Sequence, residues 1–342
     1  MKKFFVLINL LLLPLFSFGE AMEIKVVIVS MYEIGEDTGD FPGEFQFWIE
    51  RNDLKRMEAP LGWRDYYVSE DGILVMCTGG GVTNAATSIS MLGLDDRFDL
   101  SKAYWVVAGI AGVDPEDASL GSAAWAKWII DGDLAKEIDA REMPEGWEYG
   151  YIALGAKRPN TLDDGWQVET ISFKLNEGLV DWAFELTKDM DLGENDDVKE
   201  FSKIYEGYPN AIRKPFVLIG DSLSSSTYWH GNYFNKWAND WVKLHTAGEG
   251  DFAMSNMEDS GTATALQRLD KIGKVDFDRL LILRTASNFS TPPPGEDVAW
   301  SLLARYPANG MPALESAYAL AHKVAYAIIG DWETMKKTIP NN

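Results

Sequence analysis

The sequence is poor in cysteine, histidine and positive charge. Its 342 residues hold one Cys, three His and 31 Lys plus Arg against 53 Asp plus Glu, a formal charge of -22. The lone cysteine, Cys77, closes no intrachain disulfide and builds no Cys-based zinc site, and three scattered histidines supply no His-rich metal centre. A chain this acidic repels phosphate backbones and anionic membrane surfaces, which argues against nucleic acid as a partner. Long hydrophobic runs are missing beyond the first 21 residues. Every later apolar stretch meets a charge, glycine or proline within about ten positions, short of the roughly 20 that a spanning helix needs. What the sequence does have is apolar bulk: 46% hydrophobic and 12% aromatic residues, enough to bury a large core.

At the N-terminus, Lys2 and Lys3 precede an apolar stretch from Phe4 to Phe18, and Gly19 and Ala21 stand where a small-x-small cleavage site falls. This pattern predicts a secretory signal peptide over residues 1–21. The mature chain, 22–342, is then expected as a single exported domain, periplasmic or extracellular, with no transmembrane span. Losing two lysines and one glutamate shifts its charge from -22 to -23.

Five short β-branched or bulky runs, Ile24–Val29, Ile73–Cys77, Tyr104–Val107, Phe216–Ile219 and Leu280–Leu283, read as buried strands. Stretches with helical spacing lie between them: Asn84–Leu92, Leu179–Lys188, Tyr233–Leu244, Thr262–Leu269 and Leu314–Ile329. The alternation predicts an α/β fold with a largely parallel central sheet flanked by helices. Ligands in such sheets bind beyond the carboxyl ends of strands. The exits after Val29, Cys77, Ala108, Ile219 and Leu283 are therefore expected to line one polar crevice. Residues 155–215 read differently. Between Asp181 and Glu200 there are eight acidic residues and two lysines, which predicts a solvated helical insertion.

The individual motifs are modest. Thr78-Gly79-Gly80-Gly81 before a helix can present backbone N–H groups to an oxygen-rich ligand, or it is a tight turn and nothing more. It lacks the Lys-Ser/Thr of a phosphate loop, and Asn84 breaks the dinucleotide fingerprint. Gly220-Asp221-Ser222-Leu223-Ser224 puts Ser224 where a nucleophile elbow needs glycine. The acidic residues Glu36, Asp37, Asp40 and Glu44 lack the regular spacing of a cation loop and read as solvated. Met257-Glu258-Asp259 is a carboxylate pair at the start of a helix, either a cap or a ligand-binding pair. Trp237 and Trp241, four apart, read as core, whereas Tyr228 and Trp229 in a Ser-rich loop can stack on a planar ring.

Taken in order, TGGGVTNAA, VVAGIAGVDPEDASLGSAA with the later IIDGDL, NMEDSGTATAL and LILRTASN resemble the nucleoside phosphorylase and nucleosidase superfamily. The closer resemblance is to the purine nucleoside permease family, with its GIAGVDP-type, WHG, MED and RTASN-PPPG motifs, and it runs over most of the mature chain. It implies a nucleoside-phosphorylase-like fold and a purine nucleoside as ligand. By that resemblance Glu258 accepts hydrogen bonds from the ribose hydroxyls and Met257 packs beneath the sugar. Gly79, Gly80, Gly81, Gly109, Ile110, Ala111 and Gly112 line the site and offer backbone donors, Tyr228 or Trp229 stacks on the base, and Ser287-Asn288 faces the purine. Asn288 stands where the superfamily has an acid, and an amide stabilises a leaving base by hydrogen bonding alone.

Superfamily phosphorylases of the hexameric type carry an Arg just before the G-x-x-G loop. Here Val106, Val107 and Ala108 occupy that place. Water is therefore the expected attacking group, oriented by Glu33, and phosphate as co-substrate is the alternative. No cofactor or metal is implied, and the superfamily admits homo-oligomers. The sequence shows neither spanning helices nor the alternating strands of an outer-membrane barrel. A permease label is thus expected to mean capture or processing of nucleosides. The two readings carried forward are glycosidic bond cleavage and non-catalytic capture.

Overall fold

The structure is a computed structural model that describes residues 21–163 and 165–341. The signal-peptide expectation falls almost wholly on residues 1–20, outside the described part. Twelve strands form one mixed sheet. In chain order they are β1 (Val26–Ser30), β2 (Lys55–Met57), β3 (Tyr66–Val68), β4 (Ile73–Cys77), β5 (Tyr104–Val113) and β6 (Ala123–Trp125), followed by β7 (Trp128–Asp131), β8 (Ser172–Lys174), β9 (Val217–Ile219), β10 (Asp221–Ser224), β11 (Phe252–Asn256) and β12 (Leu280–Phe289). The main path runs β8-β7-β10-β11-β5-β1-β4-β3-β2, with β12 pairing β5 and β6, and β9 pairing β6. Pairs β1–β4, β1–β5, β5–β12, β7–β10 and β10–β11 are parallel. β11 runs antiparallel to β5, and antiparallel strands close both edges.

The helices are α1 (Gln46–Arg51), α2 (Val82–Gly93), α3 (Glu177–Thr187), α4 (Asp196–Ser202), α5 (Asn232–His245), α6 (Asp259–Asp270), α7 (Val298–Leu303), α8 (Met311–Gly330) and the single turn α9 (Trp332–Met335). α2 packs on α6, while α8 lies across β5 and β12. The α8 stripe Ala313, Leu314, Ala317, Leu320, Ala321, Val324, Ala325 and Ile328 is buried, the three-and-four spacing that a helix needs to seat one face on a sheet. Strands β1 and β4 are buried at all five positions because helices cover both faces, so their sequences are nearly continuous apolar runs.

Two expectations change. Gly109–Gly112 and Thr285–Asn288 are not loops after strands. β5 and β12 are ten residues long and pair in parallel almost throughout, with one register shift between Ala286 and Asn288. Alternate residues beyond the sequence-predicted ends therefore still point to a fixed side of the sheet. The exit after Ile219 does not join the crevice either. Asp221 opens β10, and its carboxylate accepts from the backbone N–H groups of Lys127, Trp128 and Asp251, a structural role.

Within residues 155–215, β8 extends the main sheet and the α3 face of Leu179, Val180 and Ala183 packs into the principal core. The acidic residues Glu185, Asp189, Asp191, Glu194, Asp196, Asp197 and Glu200 are exposed. Their charge sits on the outer surface of elements that are otherwise part of the core.

Candidate active site

Parallel pairing brings the ends of β1, β5 and β12 to one side of the sheet, and antiparallel β11 sets Ser255 opposite Gly112. Met31 and Tyr32 after β1, Ile110–Gly112 of β5, Ser255–Glu258 at the end of β11 and Ser287–Asn288 of β12 enclose a cavity of about 160 Å³. Glu44, Arg284, Thr227–Trp229 and Tyr306 complete its wall.

At the floor lies a buried charge network. Arg284 lies within β12, and its guanidinium is 2% exposed. It donates to Asp259 Oδ1 at 2.5 Å, Glu258 Oε2 at 3.1 Å, Asn256 Oδ1 at 3.2 Å and the Ile110 carbonyl at 3.1 Å. Desolvation works against its charge, but Asp259 and Glu258 outweigh this and hold the guanidinium firmly protonated. Asn256 accepts from the N–H groups of Glu258 and Asp259, which fixes the start of α6 and aims both carboxylates at the arginine. Glu258 Oε1 accepts from the Gly81 N–H at 3.2 Å. Its Nε and Nη2 hydrogens are committed to these carboxylates and to Asn256, and one Nη1 hydrogen to the Ile110 carbonyl, so Arg284 positions the carboxylates beside it.

Glu44 is the acid that sequence reasoning missed. It is 6% exposed, and its two oxygens accept from the N–H groups of Met31 at 2.7 Å and Ile110 at 2.8 Å. Burial pushes its carboxyl up to about 8. Nearby Glu258 adds to the rise, while Arg284 and the two N–H bonds oppose it. Gly109 makes room for it, since a Cβ there would lie 2.0 Å from Met31 Cε and 2.5 Å from Glu44 Oε1.

Glu33, expected to orient water, does otherwise. Its carboxylate gathers the N–H groups of Ile34, Gly43, Phe45 and Gln46, tying the loop to the start of α1, and it does not reach the cavity. The reading of Glu36, Asp37, Asp40 and Glu44 as one solvated acidic loop also fails at Glu44. Asp37 pairs with Arg64 at 2.7 Å and Asp40 accepts from the Glu36 N–H, whereas Glu44 turns inward with its aromatic neighbours Phe45 and Trp48. A glutamate inside Phe-Pro-Gly-Glu-Phe-Gln-Phe-Trp was the available signal. An arginine within the apolar strand Leu-Ile-Leu-Arg was the corresponding signal for Arg284.

Of the other sequence-predicted residues, Ile110, Ala111, Gly112, Tyr228, Trp229, Met257, Glu258, Ser287 and Asn288 border the cavity. Gly79, Gly80, Gly81 and Gly109 do not. Gly81 touches the site through Glu258, and Gly79 adopts φ +79° beneath Trp63, with a Cβ position only 2.6 Å from that ring. Trp229 is 8% exposed and packs against Phe234, Trp237 and Phe252, so its ring serves the aromatic core. Tyr228 stays at the cavity with its hydroxyl 2.9 Å from Asn288 Nδ2 and 2.9 Å from the Tyr306 hydroxyl.

A second cavity of about 250 Å³ lies beside α4, lined by Asn195, Lys199, Lys214 and Glu315 among others. Its charges pair locally, Lys214 with Asp191, Lys199 with Glu194 and Glu315 with Arg51, so no set of groups converges there.

The model of a family described as purine nucleoside permease matches residues 23–340. A purine nucleoside permease of Candida albicans is 30% identical over 334 residues, 94% of this chain and 80% of the relative. Among solved structures, the chain is similar to the 5'-methylthioadenosine/S-adenosyl homocysteine nucleosidase of Campylobacter jejuni. The TM-score is 0.51 at 17% identity, covering 90% of this chain and 99% of the other. Futalosine hydrolase of Helicobacter pylori gives a TM-score of 0.52 at 15% identity, covering 89% and 98%. At these identities the solved structures establish the fold, a nucleosidase-like mixed α/β architecture.

Proposed function

The chain belongs to the purine nucleoside permease family, and from that premise we propose that it binds a purine nucleoside in the Glu44–Glu258–Asn288 cavity and hydrolyses its N-glycosidic bond. The observation that carries this reading is Glu44, a carboxyl with a raised proton affinity buried across the cavity from a carboxylate anchored on arginine. An ionised Glu258 suits the ribose diol, because a carboxylate accepts from two hydroxyls at once. Glu44, when ionised, takes the proton of a water whose oxygen attacks the anomeric carbon. The bond to the base breaks with its electron pair going to the purine, which takes up a proton from solvent. Phosphate fits less well, since four of the five Arg284 N–H groups are engaged by protein acceptors and the charge is already matched by the carboxylates beside it.

Because Glu44 must be ionised to act as base, kcat/KM rises with pH through about 8. The test is chromatography of inosine or adenosine incubated with residues 22–342, with and without phosphate. Free base together with ribose supports hydrolysis, ribose phosphate supports phosphorolysis, and no free base under either condition sinks the enzymatic claim.

Capture without chemistry is the second reading, favoured by an amide at position 288. Calorimetry showing stoichiometric binding with no turnover would select it. Among the described residues no helix is long and apolar enough to cross a membrane, so the fold described here offers no helical path through a bilayer. Export through cleavage after residue 21 belongs to the same proposal, and a secreted product retaining Lys2 and Lys3 would refute it.

A further inference from the structure

Asn288 has two amide hydrogens, and both are engaged within the protein. Nδ2 donates to the Tyr228 hydroxyl oxygen at 2.9 Å and to the Phe289 carbonyl at 3.2 Å, while Oδ1 lies 2.9 Å from the Ser287 hydroxyl. The amide therefore has no hydrogen left for a ligand. The Tyr228 oxygen also lies 2.9 Å from that of Tyr306, and either phenol can be the donor. Two phenols carry two hydrogens, and one is used between them. The other has no acceptor among the described residues whichever way the pair is arranged. Both tyrosines border the cavity that contains Glu258 and Glu44.

On the nucleoside reading above, we propose that this free phenol hydrogen of the Tyr228–Tyr306 pair is the donor to the leaving purine, and that Asn288 acts behind it by holding Tyr228. An N–H donated into the Tyr228 oxygen polarises the phenol and strengthens the bond it gives in turn. Burial raises the proton affinity of both hydroxyls, Tyr228 further so beside Tyr306, so the pair stays protonated and contributes a hydrogen bond instead of transferring a proton. As the glycosidic bond breaks, charge accumulates on the imidazole ring of the purine, and a donor at N7 stabilises it. The Tyr306 position is set by a tight corner: Ala308, Asn309 and Gly310 are all left-handed, at φ 48°, 54° and 76°, as the chain turns into α8. This arrangement gives a role to an amide that has no proton to deliver, and it replaces the stacking role expected of Tyr228.

The test compares adenosine with 7-deazaadenosine, which lacks the N7 acceptor, for wild type, for the double variant Tyr228→Phe, Tyr306→Phe and for Asn288→Ala. Affinity is read by calorimetry and, given turnover, kcat/KM by release of base. Wild type should favour adenosine by about tenfold, the worth of one well-made hydrogen bond. The double variant Tyr228→Phe, Tyr306→Phe, which keeps both rings but removes both phenol hydrogens, should bring the ratio near one. Asn288→Ala should keep a preference of about threefold, since the phenol hydrogen remains but loses its polarising partner. Equal thermal midpoints for the variants and wild type confirm that each is folded. If Asn288→Ala abolishes the preference and the double variant retains it, the amide itself contacts the base and the inference is overturned. Binding of both nucleosides by wild type without preference overturns it alone, and binding of neither overturns the nucleoside reading with it.

Discussion

Replacing Glu44 by Gln should remove a pH dependence of stability and so reverse which of the two proteins is the more stable between acid and alkaline pH. The unfolded carboxyl titrates at 4.5 and the folded one at about 8. Between these values the folded state binds the additional proton, so stability falls as pH rises through the window. A displacement of about 3.5 units corresponds to a limiting loss of about 5 kcal/mol from pH 4.5 to 8. Glutamine removes that titration at a fixed cost. Its carbonyl oxygen can accept from only one of the Met31 and Ile110 N–H groups now bonded at 2.7 and 2.8 Å. The other N–H would face an amide nitrogen, a buried unmade bond worth about 1–3 kcal/mol.

At pH 5 the variant should accordingly be the less stable protein by about 1–3 kcal/mol. At pH 8.5 it should be the more stable by about 2–4 kcal/mol, with the curves crossing at about pH 6. Urea unfolding across that range, with m-values checked for constancy, measures both limits. A gap between the two proteins that does not change with pH would refute the reasoning, because it would mean that Glu44 titrates alike in both states. Turnover, if Glu44 is the base, should be lost in the variant at every pH, so the protein gains alkaline stability where it loses function.

Three further outcomes follow from the same geometry. Glu258→Ala should weaken ribosides on the order of 100-fold while leaving free purine bases almost unaffected, measured by calorimetry, and an equal loss for free bases would contradict a ribose role. Arg284→Met leaves Asp259, fully buried, without its cation and should cost about 3–5 kcal/mol in urea unfolding at pH 7; a loss under about 1 kcal/mol would show that the network relaxes. Gly109→Ala should destabilise by about 1–3 kcal/mol and lower nucleoside affinity, because its methyl group enters the space of Met31 and Glu44, and wild-type affinity in this variant would mean that the Glu44 carboxyl can move without consequence.

Much of the molecule is legible before folding is considered. Strands such as Ile73–Cys77 are read from continuous apolar runs and helices such as Met311–Gly330 from three-and-four spacing, because both signals depend on near neighbours along the chain. Glu258 and Asn288 were found through the order of motifs, and both border the cavity. The lengths of β5 and β12 were not legible. Glycine, alanine and serine at 109–112 and 285–288 carry a loop's composition, and only pairing between residues 175 or 176 positions apart keeps them extended.

The choice between Glu33 and Glu44 marks the same boundary. Both follow β1 in an acidic stretch, and nothing in their spacing tells which carboxylate will collect the turn's N–H groups and which will be buried against Ile110. The sequence by itself determined the α/β class, the apolar strands and helices, the acidic outer face and the residue types available for a carboxylate-and-amide site. Tertiary structure alone decided that Arg284 is committed to the carboxylates beside it, that Trp229 packs in the core, and that Tyr228 bonds to Asn288 and Tyr306. The physical reason is that periodicity reports which face of an element is apolar, whereas proton affinity, ion pairing and hydrogen-bond direction depend on groups brought within about 3 Å from distant parts of the chain.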